Sequence, residues 1–357
     1  MLFKSKPILL IQFLERSIRY IVMDASKKLI VEKDELVFDT AIIQEGKVTN
    51  VSLLQARLDS LIKEKKWKNA KVSIILPDDF VTIREEKIPV QLSYNEIKDY
   101  LHLHINQSIR LPFDDPRIDF EVISKDETTQ TVFIAAYPGD QVRNYLSLLE
   151  NVSLKPEVAD ISALCMYRVL SSQSKVTFSE DAHIMMLQWN PIDTSIMVFH
   201  KGIPQFNRHT RSTRLTDAWN LTKEGKWEWK IAESDLADFL EEQLNGLERF
   251  MEFYRYSVMD GEGSITNIVL SGYFPDLDRL KDLLNDRFSV TIHSLDLPAG
   301  LTQADAALYG LSLKENKKKA TLFKQENKSD KVTKNFLKKE SMRNETEDLS
   351  EGEVAND

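Results

Sequence analysis

"MMLQWNPIDTSIMVF", residues 185–199, reads as an apolar strand, a break at Asn190 and Pro191, and a second apolar strand. Far upstream, "LLIQFLERSIRYIVM" at residues 9–23 lies beneath it without a gap. Gln12 then falls on Gln188, Phe13 on Trp189, Tyr20 on Ile196 and Val22 on Val198. An internal echo of two hairpins points to a fold built from two similar halves.

Working outward from the first hairpin, strand-like segments at residues 7–13, 19–23 and 28–31 precede "DELVFDT" and then a helix, "SLLQARLDSLIKEKKW". Leu54, Leu58, Leu61 and Ile62 form one face of that helix. "AKVSIILP" follows as a buried strand stopped by Pro77, which completes an α/β lobe. "FVTIREEKIPV" is a strand, and "SYNEIKDYLHLHINQSI" is a helix opened by a capping box of Ser93 and Glu96, with Ile97, Leu101 and Ile105 recurring every four residues. "RIDFEVIS" and "TVFIAAYP" are strands, and "DQVRNYLSLLENV" is a helix that turns Val142, Tyr145, Leu146 and Leu149 inward. Residues 80–122 look like a small α+β insertion in the first lobe.

Beyond "KPEVADIS" and the helix "SALCMYRVL", the echoed hairpin begins a second lobe. Its longest helix, "ESDLADFLEEQLNGLERFMEFYRYS", carries a stripe of Leu236, Leu240, Leu244, Leu247 and Met251. "SITNIVLSG" is a buried strand ending at Gly272, followed by the helix "PDLDRLKDLLNDRF", the strand "SVTIHSLD" and the closing helix "TQADAALYGLSL". The expected division is lobe 1 at 1–170, lobe 2 at 171–314 and a charged tail at 315–357. The tail has few apolar residues and no helical stripe, so it reads as disordered. A cleft between similar lobes is a natural ligand site.

The chain of 357 residues is long enough for two lobes with sizeable cores, and its net charge of -9 argues against nucleic acid as a partner. The one cysteine, Cys165, excludes an intrachain disulfide, suits a reducing compartment, and sits in an apolar helical run as a small buried hydrophobe. No stretch approaches the roughly 18 to 20 apolar residues needed to span a bilayer, so the expected location is the cytoplasm.

Chemistry is sparse. Neither a P-loop nor a G-x-G-x-x-G turn occurs, and no serine lies in a nucleophile elbow. His102 and His104, two apart on a helix, face different sides and make a poor metal pair. Asp78 with Asp79, and Asp114 with Asp115, flank prolines and read as turn formers.

The order of these pieces resembles a known family. "ILPDDFVTIREEKIPV" followed by "YNEIKDYLHLHINQSIRLPFDDPRIDFEVI", then "VFIAAYPGDQVRNYLSLLENVSLKPEVADISALCMYRVL", "FHKGIPQFNR", "IVLSGYFPDLDRLKDLL" and "AALYGLSL" are similar to the PilM family of type IV pilus assembly proteins. The resemblance runs over residues 7–313. It implies an actin-like (ASKHA, ribonuclease H-like) two-lobed α/β fold, and ATP with Mg²⁺ as the family's cofactor.

At the positions that would serve ATP, this chain departs from the family. The first hairpin normally resembles D-x-G followed by a Lys; here those places hold Gln12, Leu14 and Arg19. At the second hairpin Gln188 and Asn190 replace Asp and Gly, and the late strand ends in Gly272 and Tyr273 in place of Gly-Gly. In the long helix, where the family places a Glu and then Arg-Ser, stand Gly246, Arg249 and Phe250. Glutamine is neutral and cannot recruit Mg²⁺, Leu14 adds a side chain where a phosphate needs bare backbone, and Tyr273 and Phe250 would take space that adenosine needs. The expectation is a degenerate nucleotide cleft with no cofactor and no metal.

The resemblance further implies a scaffold that captures the cytoplasmic N-terminal tail of a PilN-like bitopic membrane protein near residues 80–122. Pilus assembly ATPases are further candidate partners, and contact with the membrane is expected only through partners. Two alternatives stand beside it: an active actin-like ATPase or filament-forming protein, and the cytoplasmic part of a type II secretion protein of the GspL kind, which would continue into a membrane helix where this chain has a polar tail.

Overall fold

Both echoed stretches are antiparallel hairpins, with Gln12 opposite Arg19 in the first and Gln188 opposite Ser195 in the second. The computed structural model describes residues 6–26, 29–105, 107–173, 177–222 and 226–314. The tail expected at 315–357 lies outside the described residues.

The first half consists of β1 (Ile8–Phe13), β2 (Ser17–Asp24), β3 (Leu29–Val37), the short β4 (Ile43–Gln44) and β5 (Lys47–Val48), α1 (Val51–Glu64) and β6 (Lys71–Ile75). It continues with β7 (Thr82–Pro89), α2 (Tyr94–His104), β8 (Pro116–Lys125), β9 (Thr129–Pro138), α3 (Gly139–Asn151), β10 (Lys155–Asp160) and α4 (Ser162–Ser172). The second half has β11 (His183–Trp189), β12 (Asp193–His200), β13 (Ile203–Arg211), α5 (Thr213–Asp217), β14 (Trp219–Leu221) and β15 (Trp227–Trp229). It closes with α6 (Glu233–Phe253), β16 (Asn267–Gly272), α7 (Leu277–Arg287), β17 (Thr291–Ser294) and α8 (Ala306–Ser312).

One five-stranded sheet runs β10-β6-β1-β2-β3, and the other, taken from its far edge, runs β17-β16-β11-β12-β13. In each, a three-stranded antiparallel meander is extended by two strands added in parallel. Parallel pairing needs a crossover, and α1 and α6 supply the equivalent one in the two halves.

The unbroken apolar character of β11 and β12 follows from burial on both faces. Met185, Leu187 and Trp189 pack with Leu240, Leu244, Leu247 and Phe250 of α6. Ile184, Met186, Met197 and Phe199 join Met166 and Val169 of α4 and Leu308 and Leu311 of α8, in a core that also takes Leu10, Ile21 and Ile75 from the first sheet. The pair α4 and α8 therefore belongs to both lobes. The closing helix, assigned from sequence to lobe 2, also contacts β1, β2 and β6.

The insertion has its own three-stranded sheet, β7-β9-β8, covered by Ile97 and Leu101 of α2. Because β9 pairs with both β7 and β8, this sheet extends to Pro138, beyond the limit of 122 expected from sequence. The Ser93–Glu96 capping box forms as expected. In α3 the buried large apolar side chains are Val142, Tyr145, Leu148 and Leu149, so Leu148 takes the place expected for Leu146.

Candidate functional site

The two hairpin turns face a cleft of about 470 Å³ including its open mouth. Gln12, Leu14 and Glu15 line it from the first hairpin, and Asn190 and Asp193 from the second. Asp78 and Asp79 enter from the turn after β6, Glu45 from the β4–β5 hairpin, and His209 and Arg211 from β13.

Pro77 ends the run of β6, and Asp78 and Asp79 open a short 3-10 turn that aims both carboxylates at the cleft. The Ser162 hydroxyl donates to Asp78 Oδ2 at 2.6 Å. Burial raises the pKa of Asp78, partly offset by the Ser162 bond. Asp79 is also raised by burial, against the pull of His209.

His209 Nδ1 lies 3.6 Å from Asp79 Oδ1 and its Nε2 lies 3.8 Å from Asp193 Oδ1. Burial opposes the charged ring, but the contact with Asp193 and the charges of Asp193, Asp79 and Asp78 outweigh it, and His209 is pushed up to about 9. Asn190 Nδ2 donates to Asp193 Oδ1 at 2.8 Å, and Arg211 Nη2 donates to Glu15 Oε1 at 2.7 Å.

The residues expected at a nucleotide site are distributed as follows. Gln12 and Gln188 are each 4% exposed, and Gln12 Oε1 and Gln188 Nε2 have no hydrogen-bond partner among the described residues. Leu14 and Asn190 line the cleft. Arg19 is buried between Glu35, 3.3 Å from its Nε, and the carbonyl of Ala304, which accepts from Nη1 at 3.3 Å. Its guanidinium lies 4.9 Å from the centre of the Tyr273 ring, and Tyr273 packs on Trp219 at 5.3 Å. A second arginine of the same hairpin, Arg16, sits 5.3 Å from the Trp227 ring centre.

Gly272 has φ +113°, and a Cβ there would lie 2.3 Å from the Trp189 carbonyl oxygen, so this strand end requires glycine. Phe250 points into the core between α6 and the second sheet and does not line the cleft, contrary to the expectation that it fills adenosine space. Gly246, one turn earlier on α6, is likewise not a lining residue. Sequence alone reads Asp78 and Asp79 as turn formers and gives Asp193 and His209 no role. The dipeptide after Pro77 was the available signal.

Among the described residues no group of three or more His, Cys, Asp or Glu side chains is placed to hold a metal ion, and no helix is long and apolar enough to cross a membrane. A family model, type IV pilus assembly protein PilM, matches residues 11–319. The chain belongs to the PilM family. It is similar to a solved chain described as the PilM-PilN type IV pilus biogenesis complex, with 16% identity, a TM-score of 0.67, and coverage of 87% of this chain and 98% of that one. It is also similar to a Bacteroides thetaiotaomicron protein with an actin-like ATPase fold and unknown function, at 14% identity, coverage of 85% and 95%, and a TM-score of 0.42. The ethanolamine utilization protein EutJ from Carboxydothermus hydrogenoformans is similar at 9% identity, with coverage of 87% and 90% and a TM-score of 0.49. No curated protein matches the chain. The fold is actin-like. In this PilM family member the two hairpins meet across a cleft rich in carboxylates, with arginine–aromatic contacts joining the first hairpin to the second lobe.

Proposed function

We propose that this PilM family protein is a cytoplasmic, non-enzymatic scaffold of a type IV pilus or a related competence or secretion machine. It binds the cytoplasmic N-terminal tail of a PilN-like bitopic membrane protein, reaches the membrane through that partner, and does not hydrolyse ATP. Pilus assembly ATPases are further partners in this reading.

The observation that carries the loss of ATP chemistry is the pair of buried carboxamides, Gln12 and Gln188, at equivalent places in the two hairpins. Mg²⁺ is held by anionic oxygen, and a neutral amide at these two hairpin positions does not supply it there. The surroundings do not fit a nucleotide either. Among the described residues Glu15, Glu45, Asp78, Asp79 and Asp193 line the cleft, with His209 and Arg211 as cations, a field that repels a triphosphate. Arg16 on Trp227 and Arg19 on Tyr273 occupy the boundary between the lobes with the chain's own side chains.

Family membership supports the partner assignment. On the insertion, Tyr94 is 55% exposed and lies 4.8 Å from Phe120, an apolar surface suited to a peptide side chain. One thermal-shift experiment with two ligands tests the reading. A synthetic PilN-like N-terminal peptide should raise the melting temperature with concentration, while ATP with Mg²⁺ should leave it unchanged. Stabilisation by Mg²⁺-ATP would overturn the loss of nucleotide binding, phosphate release from ATP by the purified chain would overturn the loss of hydrolysis, and no response to the peptide would overturn the scaffold part.

A further inference from the structure

Strand β13 is the edge of the second sheet, and alternate residues of a strand share one face. Asn207, His209 and Arg211 are alternate positions on one face, Gln205 sits at the bulge between Pro204 and Phe206, and each of the four reaches a group of the first lobe. Gln205 Nε2 donates to Glu85 Oε1 at 3.3 Å, and Asn207 Nδ2 donates to the Val81 carbonyl at 2.9 Å. His209 stands 3.6 Å from Asp79, and Arg211 bonds Glu15 at 2.7 Å. We propose that this face of β13 is a clasp that holds the two lobes together without any ligand, and that the charged His209 ring is its pH-sensitive member.

The charges around the ring explain why it matters. The turn after β6 presents Asp78 and Asp79, β12 presents Asp193, the first hairpin presents Glu15, and the β4–β5 hairpin presents Glu45. Arg211 is the other lining cation, and it is engaged by Glu15. With a proton, His209 bridges Asp79 of the first lobe and Asp193 of the second. Without it, Asp79 and Asp193 face each other across the cleft uncompensated and repel.

The direction of the pH effect follows from linkage. His209 is pushed up to about 9 in the folded chain, above the ordinary imidazole value, so its contribution is complete below the ordinary value and disappears as pH rises through about 9. The clasp is closed at neutral pH and opens in alkali. This holds whether or not the cleft binds nucleotide.

The test measures the lobe-to-lobe distance in the full chain. Spin labels go on Lys68→Cys and Asp282→Cys, both exposed positions; Cys165 is buried and does not compete for label. Pulsed electron–electron distances should lengthen and broaden when the wild-type background is moved from neutral pH to above about 9. His209→Gln should show the long, broad distribution already at neutral pH, and His209→Arg, which keeps its charge, should hold the short distance at both. Equal distances in wild type at the two pH values, or a wild-type distance in His209→Gln, would overturn the proposal. So would opening of His209→Arg in alkali, which would mark general alkaline loosening.

Discussion

Gln12 and Gln188 are buried polar side chains whose hydrogen-bonding capacity is incompletely used. A buried polar atom without a partner costs on the order of 1–3 kcal/mol, and each carries one such atom among the described residues. Restoring the acid alone should make matters worse, since a carboxylate in this buried strand loses its hydration and its cross-strand neighbour Arg19 is already engaged by Glu35. Gln12→Asp is expected to lower stability at neutral pH by about 3 kcal/mol without creating Mg²⁺-dependent nucleotide affinity, measured by urea unfolding and by titration with a fluorescent ATP analogue. A stable variant that gained such affinity would show that the glutamine is the sole defect. At this scale the sequence was half legible. The glutamines stood out because the hairpins echo each other, whereas Asp78 and Asp79 looked like turn formers because nothing beside them in the chain reveals that Ser162 and His209 face them.

Secondary elements were more readable than the contacts between them. The leucine stripe of α6 is buried as its spacing demands, since a helix repeats its face every 3.6 residues. What spacing could not show is where α8 packs. Gly310 answers that: a Cβ there would stand 1.9 Å from the carbonyl oxygen of Cys165, so α4 and α8 cross with their backbones in close approach. Gly310→Ala is expected to push these helices apart and cost about 1–3 kcal/mol or more, read as a lower midpoint of thermal unfolding. Serine at the same place should be at least as harmful, because the obstacle is backbone and cannot rotate away. A wild-type midpoint for Gly310→Ala would mean that the helices slide freely.

Across the whole molecule the duplication was legible because apolar strand runs and the hairpin echo are local signals, while the ties between the halves join residues far apart in the chain. One such tie lies behind the shared core. Asp160 ends β10 and is almost wholly buried; its Oδ2 accepts from Arg168 Nη2 of α4 at 2.9 Å and from Lys314 Nζ, just past α8, at 2.9 Å. Arg168 Nη1 also donates to the Gly310 carbonyl at 2.9 Å. One carboxylate thus fastens the first sheet to both helices that the lobes share. Removing the arginine alone, as in Arg168→Met, leaves the buried carboxylate to Lys314 alone, which is itself partly exposed, and is expected to cost about 2 kcal/mol. Asp160→Asn removes the charge as well, so the double variant Asp160→Asn with Arg168→Met should be less damaged than the sum of the two single changes. A double-mutant cycle by thermal unfolding reads that coupling as a favourable interaction of about 1 kcal/mol or more. Additive losses would mean that Lys314 alone balances Asp160, and that the hold of Arg168 on the Gly310 carbonyl is its whole contribution.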